Sequence, residues 1–416
     1  MARGVATEQA ARTSFRDVFA VAEFRALWLA QLLSVVGDQL ARVALTVLVY
    51  DRTRSALLAA VTFAVSIVPT FIGGITLAWL ADRYPRRSVM IACSLIQGLL
   101  VLVMAIPRIP LAIVVALLFV VTLAEAPFAA ARAAIFPDVL TGDTYVVGTA
   151  IGLTTYQFAQ VLGFAVGGAV VGFFGTRTSL VIDAVTFGGA ALILRAWIRR
   201  RPAPSDQRES SRLAGIFVGA RLVLGRPALR TPMLFGLLAA FYNACEGVAA
   251  PLARTLGGGA AAVGVILAAN SLGQTAGALL FSRFVAPQTR LRLMGPLAFC
   301  ACAVLVLFFC QPGLYIALLI LVASGVCAAY QLAANAAFVQ AAPHEQRSQA
   351  FGAAQSAMSL GQGAVMILAG AAAEHHSPAL VVAVAGAVGA VVALAVAVSA
   401  ARGAWSRSAD GRHQRA

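Results

Sequence analysis

Long apolar runs alternate with short polar breaks along almost the whole chain. Twelve runs can be marked: 24–50, 56–80, 88–106, 110–131, 145–174 and 178–196, then 231–253, 260–281, 293–310, 314–339, 348–372 and 377–401. Most approach or exceed the roughly 20 residues a helix needs to cross about 30 Å of hydrocarbon. Glycine, alanine, serine and proline are scattered through them, as membrane helices tolerate where backbones pack closely. Barrel strands would instead show short alternating segments. The pattern therefore predicts an all-α integral membrane protein with twelve transmembrane helices. Its longest interruption, 197–230, leaves six on each side.

Composition excludes several functions. Apolar residues make up 61% of 416 and charged residues only 11%, too few for a water-facing surface. All 31 basic residues are arginine. Without lysine there is no P-loop cation for nucleotide phosphates and no amine for a Schiff base, which leaves an ion gradient as the expected drive. The six cysteines lie inside apolar runs with no paired or metal-ligand spacing and read as small packing residues. Glu374, His375 and His376 lack a third spaced ligand, so no metal and no cofactor is expected.

The net charge of +15 raises the question of nucleic acid, and the placement of the arginines answers it. If both ends are cytoplasmic, 25 arginines fall on that side, five (Arg52, Arg54, Arg108, Arg177 and Arg254) fall outside, and Arg42 lies within a span. That asymmetry sets the expected topology. It also assigns the basic charge to the anionic headgroups of a cell membrane. The expected organisation is a cytoplasmic segment 1–23, a six-helix half 24–198, a cytoplasmic linker 199–230, a second six-helix half 231–401 and a cytoplasmic tail 402–416. Residues 1–23 lack the apolar core of a cleavable signal.

The linker opens on Arg199, Arg200, Arg201 and Pro202. It continues with an amphipathic pattern, Leu213, Ile216, Phe217, Ala220 and Leu224, that predicts an interfacial helix. Ser14 and Asp17 form a capping pair at the start of a similar stretch, with Phe15, Val18, Phe19 and Ala22 expected to face lipid. A weak repeat relates the halves. A shift of about 200 residues aligns Gly73, Ala78, Leu80 and Arg83 with Gly273, Ala278, Leu280 and Arg283, and one of 206 aligns Pro137 with Pro343. Related parallel halves around a midplane site are a transporter architecture.

The loop after the second run reads Ala78-Trp79-Leu80-Ala81-Asp82-Arg83-Tyr84-Pro85-Arg86-Arg87. It resembles the signature of major facilitator superfamily transporters, with Asp82, Arg83, Arg86 and Arg87 matching and Ala78 and Pro85 replacing its glycines. The resemblance implies the two-half fold of that family and a cytoplasmic gate formed by these charges. Gly163, Gly167 and Gly168 resemble the family's antiporter signature, with Phe164 in place of proline. The family's helix-four arginine signature is missing, and Glu125 and Pro127 occupy that region. Phe24, Arg25, Leu27, Trp28, Gly37 and Asp38 are similar to a bacterial exporter subgroup that includes enterobactin and macrolide efflux proteins. So are Pro137–Asp138, Asp183–Ala184, and Pro343 with Arg347 and Gly352.

Charges inside spans need partners, water or a function. Asp38 and Arg42 are four apart, which allows an ion pair. Asp38, Glu125 and Glu246 are the candidate proton-coupling residues. Asp183, near the far end of its run, reads as structural, and Arg132 and Arg195 as snorkelling. Candidate cavity-lining residues are Tyr156, Gln157 and Gln160 in the fifth run, Tyr242 and Asn243 in the seventh, and Asn270 and Gln274 in the eighth. Tyr330, Gln331 and Asn335 in the tenth complete the set. Each is equally explained by polar contact between helices. The expected function is secondary transport, with protons driving export of small amphipathic organic molecules by a monomer. A metabolite symporter and a non-transporting sensor on the same fold are the alternatives. No nucleophile or metal constellation points to an enzyme.

Overall fold

The computed structural model describes residues 14–77, 79–202, 212–343 and 346–413, with the side chains of 212–217, 348 and 401–413 outside that description. Ala78 of the signature loop, His344 and Glu345, residues 1–13, linker residues 203–211 and tail residues 414–416 lie outside it altogether. Among the described residues there are helices and no strands.

Span one is Ala22–Thr53, and span two is the pair Ala56–Val65 and Val68–Thr76. Span three is Arg86–Met104 and span four Leu111–Val139. Asp143–Trp197 is continuous in hydrogen bonding but too long for one crossing. Its 55 residues would extend about 80 Å at ~1.5 Å each. It turns back at Gly175, whose φ of 80° suits glycine, and so supplies spans five and six. Span seven consists of Pro227–Leu237, Ala239–Tyr242, Ala244–Gly247 and Ala249–Thr255. Spans eight to twelve are Ala260–Phe284, Pro287–Cys310, Leu314–Ala341, Arg347–Ala372 and the helix from Pro378. Among the described residues nine helices are individually long and apolar enough to cross a membrane. The broken span seven and the more polar span eleven are not among them, and spans five and six count there as one helix.

Large apolar side chains cover the outside as well as the core, and a minority of polar ones are buried. Phe173 is 86% exposed and Tyr315 83%, whereas Asn270, Asp183 and Gln39 are buried. Lipid tails are as apolar as a protein core, so large apolar groups gain little by turning inward and polar groups gain partners. The main apolar core draws Phe63 and Phe164 from the first six spans, and Tyr242 and Met366 from the last six.

Prolines interrupt the spans where polar groups are needed. A proline cannot donate to the carbonyl four residues back and clashes with it. Pro69 ends Ala56–Val65, and the chain crosses Ser66 and Ile67 in non-helical conformation before Val68. Pro251 does the same to Gly247, where one short helix of span seven stops. Pro127, inside span four, frees the Leu123 carbonyl. Span two lies against that carbonyl through Gly73, where any Cβ would collide with the oxygen. Gly273 of span eight meets the Val322 carbonyl of span ten in the same way. The paired glycines of the repeat thus make equivalent helix contacts in both halves.

The amino-terminal expectation is corrected in part. Ser14 and Asp17 form the capping box of Phe15–Ala20, and Phe15 is exposed. Val18 instead is buried beside Phe24, Leu140 and Ile151, and Phe19 packs edge-on to Phe24 and Trp28. The chain bends at Val21, which turns the short helix back onto span one. The linker helix is Arg212–Gly225, turned 100° from span seven. Gly219 and Val223 pack inward, Gly219 against the Gln349 backbone, while Leu224 stays exposed. Its Leu213, Ile216 and Phe217 side chains lie outside the described set.

Gly73→Val should force spans two and four apart, because the obstacle is backbone rather than a movable side chain. Overpacking of this kind costs about 1–3 kcal/mol. Thermal unfolding of the purified protein should show a lowered Tm, with a smaller loss for valine at the open position Gly74.

Candidate functional site

Arg42 sits in span one beside the break in span two. Its Nη2 donates to the Ser66 carbonyl at 3.1 Å, and its Nη1 donates to Gln39 Oε1 at 3.3 Å. Ser66 closes Ala56–Val65, and carbonyls at a helix end have no helical partner. The Pro69 break therefore supplies an acceptor for a guanidinium inside the membrane. The predicted Asp38–Arg42 ion pair does not form among the described residues. Asp38 accepts instead from Ser34 Oγ at 3.4 Å, one turn earlier.

Glu125 accepts from Thr70 Oγ1 at 3.1 Å, across from span four to span two. Asp183 is corrected from a peripheral residue to an interior one. It is 1% exposed and packs against Gly37, where a Cβ would collide with the carboxylate. Asp38, Arg42, Glu125 and Asp183 all line one small space of about 30 Å³. Counting residues along span six placed Asp183 near a surface. Its meeting with Gly37 depends on helix packing, although a glycine beside an in-membrane aspartate is a visible sign of close approach.

The last six spans carry a polar network at the broken span seven. Asn270 Nδ2 donates to Asn243 Oδ1 at 2.9 Å and to Glu246 Oε1 at 3.2 Å, and Gln274 Nε2 donates to Asn243 Oδ1 at 3.2 Å. Gln331 Nε2 donates to the Tyr242 hydroxyl at 2.7 Å, and the Tyr330 hydroxyl donates to the Phe235 carbonyl at 3.0 Å. Short helices leave side chains and carbonyls free to satisfy one another where a regular helix would not.

A central cavity of about 350 Å³ receives side chains from both halves: Arg42, Thr70, Glu125, Tyr156 and Gln160 from one, Asn243, Glu246, Ser271 and Gln274 from the other. Span eleven adds Gln355, Ser359 and Gln362, which the sequence reading missed. Their spacing of four and three is a helical face and was legible as such. A second cavity of about 460 Å³ joins at Glu125 and Tyr156. It runs toward the face bearing the chain ends past Asp38, Phe128, Arg132 and Phe136. A third, of about 350 Å³, joins at Gln355 and holds Gln331 and Asn335. Arg132 thus faces a cavity instead of snorkelling. Tyr242, Asn270 and Tyr330 lie behind the cavity wall, at most 1% exposed. The two hydroxyls and the Asn270 Nδ2 are engaged between helices, while Asn270 Oδ1 is buried with no hydrogen-bond partner among the described residues. Gln157 is not among the side chains lining these cavities.

At the opposite face the halves touch. A Cβ on Gly168 of span five would lie 2.7 Å from Gly264 Cα of span eight, and Gly370 of span eleven packs on Ala60 of span two. Gly163 and Gly167 pack on span one at Gln39 and Leu40. Arg254 pairs with Asp51 at 2.5 Å. Glu374 accepts from Ser55 Oγ at 2.5 Å and Leu57 N–H at 2.8 Å. It thereby caps the first turn of span two from the other half, as a carboxylate at a helix amino terminus should. Those two hydrogen bonds hold its carboxyl below the usual carboxylate range.

The arginines of the signature loop are engaged within the first six spans. Arg86 Nη1 pairs with Asp138 at 2.9 Å and donates to the Ala134 carbonyl at 2.8 Å. Arg87 donates to the Arg195 carbonyl, and Arg83 lies over the Trp79 ring at 5.7 Å. Asp82 sits on the short helix Leu80–Arg83 beside them.

A many-helix membrane protein with a polar cavity shared between two sets of spans, and one face closed across them, is a transporter in architecture. The major facilitator superfamily model matches residues 27–247 and again 234–410, and the chain belongs to that family. It is therefore a multi-pass membrane transporter and not an enzyme. No curated protein matches the sequence. Among solved structures, a POT family transporter in complex with 5-aminolevulinic acid is similar at 11% identity and a TM-score of 0.75, covering 91% of this chain and 96% of that one. The nucleoside transporter NupG is similar at 15% identity and 0.67, covering 90% and 98%. A bacterial homolog of the human lysosomal transporter Spinster, inward-facing and occupied, is similar at 17% and 0.68, covering 91% and 94%. At these identities the likeness is one of fold.

Arg42→Gln should remove the charged hydrogen bond to the Ser66 carbonyl and the one cation near Asp38, Glu125 and Asp183, and destabilise the protein by about 1.5–3 kcal/mol. Unfolding in detergent should show the loss, and adding Asp38→Asn should recover part of it in a double-mutant cycle. The Glu374 contact should respond to pH. It stabilises the closed face fully above the ordinary carboxylate range and is lost as pH falls through the lowered value. Thiol labelling of a cysteine placed at Thr53 should rise on acidification of that face, and Glu374→Gln should abolish the rise.

Proposed function

We propose that the chain is a proton-coupled antiporter that exports small amphipathic organic molecules by alternating access, of the drug, antibiotic or siderophore kind. The observation that carries this reading is the central cavity, in which Arg42, Glu125 and Glu246 face one space from both halves. Phenylalanines and Arg132 line the adjoining cavity, a wall suited to molecules with one apolar and one polar part. The similarity of the motifs to a bacterial exporter subgroup supports export. The glycines of the antiporter-like signature packing on spans one and eight support the same direction.

In this reading residues 24–198 and 231–401 are two halves that rock about the cavity, with both chain ends cytoplasmic. The far face is sealed by Asp51–Arg254 and Glu374, and the substrate enters from the arginine-rich side. Protonation of Asp38, Glu125 or Glu246 removes a charge from the interior and changes which state is favoured, and the substrate biases the same equilibrium. Asp82, Arg83, Arg86 and Arg87 close the cytoplasmic face in the alternate state, when the loop they hold meets the other half.

Efflux from proteoliposomes, with candidate substrates chosen by resistance profiling in an efflux-deficient host, tests the reading. Collapse of the pH gradient should abolish uphill transport while exchange of substrate across the membrane continues. Glu125→Gln, Asp38→Asn and Glu246→Gln, made singly, should lower uphill transport at least tenfold in one or more cases. Undiminished accumulation without a pH gradient rules proton coupling out.

A further inference from the structure

The roughly 30 Å³ space between spans one, three, four and six, closed on another side by Ser66 of span two, adjoins the substrate cavity at Arg42 and Glu125 and the 460 Å³ cavity at Asp38 and Glu125. It has room for about one or two waters. Three carboxylates, Asp38, Glu125 and Asp183, face it with one guanidinium, Arg42. The Arg42 N–H groups are turned to Gln39 and the Ser66 carbonyl. Span three contributes Gln97, whose Nε2 donates to the Val121 carbonyl. With every carboxyl ionised, the space would hold a net charge of about −2 in a medium of low dielectric, which like charges at close quarters do not tolerate.

Asp183 is the member that no transport role yet explains. Its Oδ1 accepts from Thr186 Oγ1 at 3.4 Å, while Oδ2 is fully buried with no hydrogen-bond partner among the described residues. A buried oxygen without a donor is costly unless it carries a proton or meets one. Gly37 is what allows this carboxyl to reach span one, directly beside Asp38.

We propose that Asp183 is a proton-binding residue, acting with Asp38 around this small space, so that the coupling proton is stored beside Arg42 and exchanges with the substrate cavity through Glu125. The proposal rests on the reading of the chain as proton-coupled and adds to it a residue and a location. The proton moves between carboxylate oxygens or a bridging water. No bond other than O–H is made or broken.

Infrared difference spectroscopy of the full-length protein in lipid vesicles reads protonated carboxylic acids directly and needs no substrate. The wild-type protein should show a protonated-carboxyl band that titrates with pH, and Asp183→Asn should lose one component of it. Asp38→Asn should shift the midpoint of the Asp183 component by about one pH unit, a tenfold change in proton affinity. Glu246→Gln, across the substrate cavity, should leave that component in place. If Asp183→Asn does not fold, the contrast between Asp38→Asn and Glu246→Gln carries the test. An unchanged band in Asp183→Asn, or an unmoved midpoint in Asp38→Asn, overturns the proposal. Loss of the band on adding sodium at constant pH overturns it in favour of a metal cation. Failure of the coupling reading looks different: the band behaves as expected, yet wild-type efflux ignores collapse of the pH gradient.

Discussion

Keeping charge inside hydrocarbon is the constraint on which the rest of this structure depends. A charged side chain at mid-membrane costs about 2.5–3.5 kcal/mol even by the mildest scales. Arg42 is held there because Pro69 breaks span two and leaves the Ser66 carbonyl facing it. The same device recurs at Pro251, where span seven fragments and Asn243 and Glu246 find partners on span eight. Proline, unfavourable in a helix interior, here creates the backbone irregularity that polar chemistry requires. Irregular backbone survives at membrane depth only beside protein or water, so the breaks and the cavity imply one another.

Glycine performs the complementary task. Gly73 and Gly273 bring span two onto four and span eight onto ten, which fixes the inner geometry of each half. Gly168, Gly264 and Gly370 do the same between halves, at one face only. Contacts built from small residues and a few polar groups bury little and hold by fit. In the rocking motion proposed above, such an interface can part and re-form. The polar clasps Asp51–Arg254 and Glu374–Ser55 are exposed, so their charges are readily solvated.

Much of the site was legible along the chain. Any ionisable residue within an apolar run attracts notice, and Asp38, Arg42, Glu125 and Glu246 do line shared cavities. The face of span eleven was equally readable from the spacing of Gln355, Ser359 and Gln362. Partners were harder to read. The four-residue spacing of Asp38 and Arg42 satisfied the rule for a helical ion pair, yet an unpaired carbonyl on another helix holds the guanidinium. Depth along a span did not give the surroundings of Asp183 or Arg132, because which face a residue presents is decided by the neighbouring helix. Tyr242, Asn270 and Tyr330 looked like cavity residues and proved to be buried contacts, a distinction that polarity alone does not carry.

By itself the sequence determined that this protein crosses the membrane many times as helices, since apolar runs of that length have no other stable state in water or lipid. It also determined the two related sets of spans and the residues that must be reckoned with inside them. The tertiary structure alone decided which of those residues meet. Four charges from spans one, four and six converge on one small space, and one face of the molecule is shut while cavities extend toward the other. The reason is that spacing along a helix fixes direction only relative to that helix, whereas rotation and approach come from glycine and proline contacts with another.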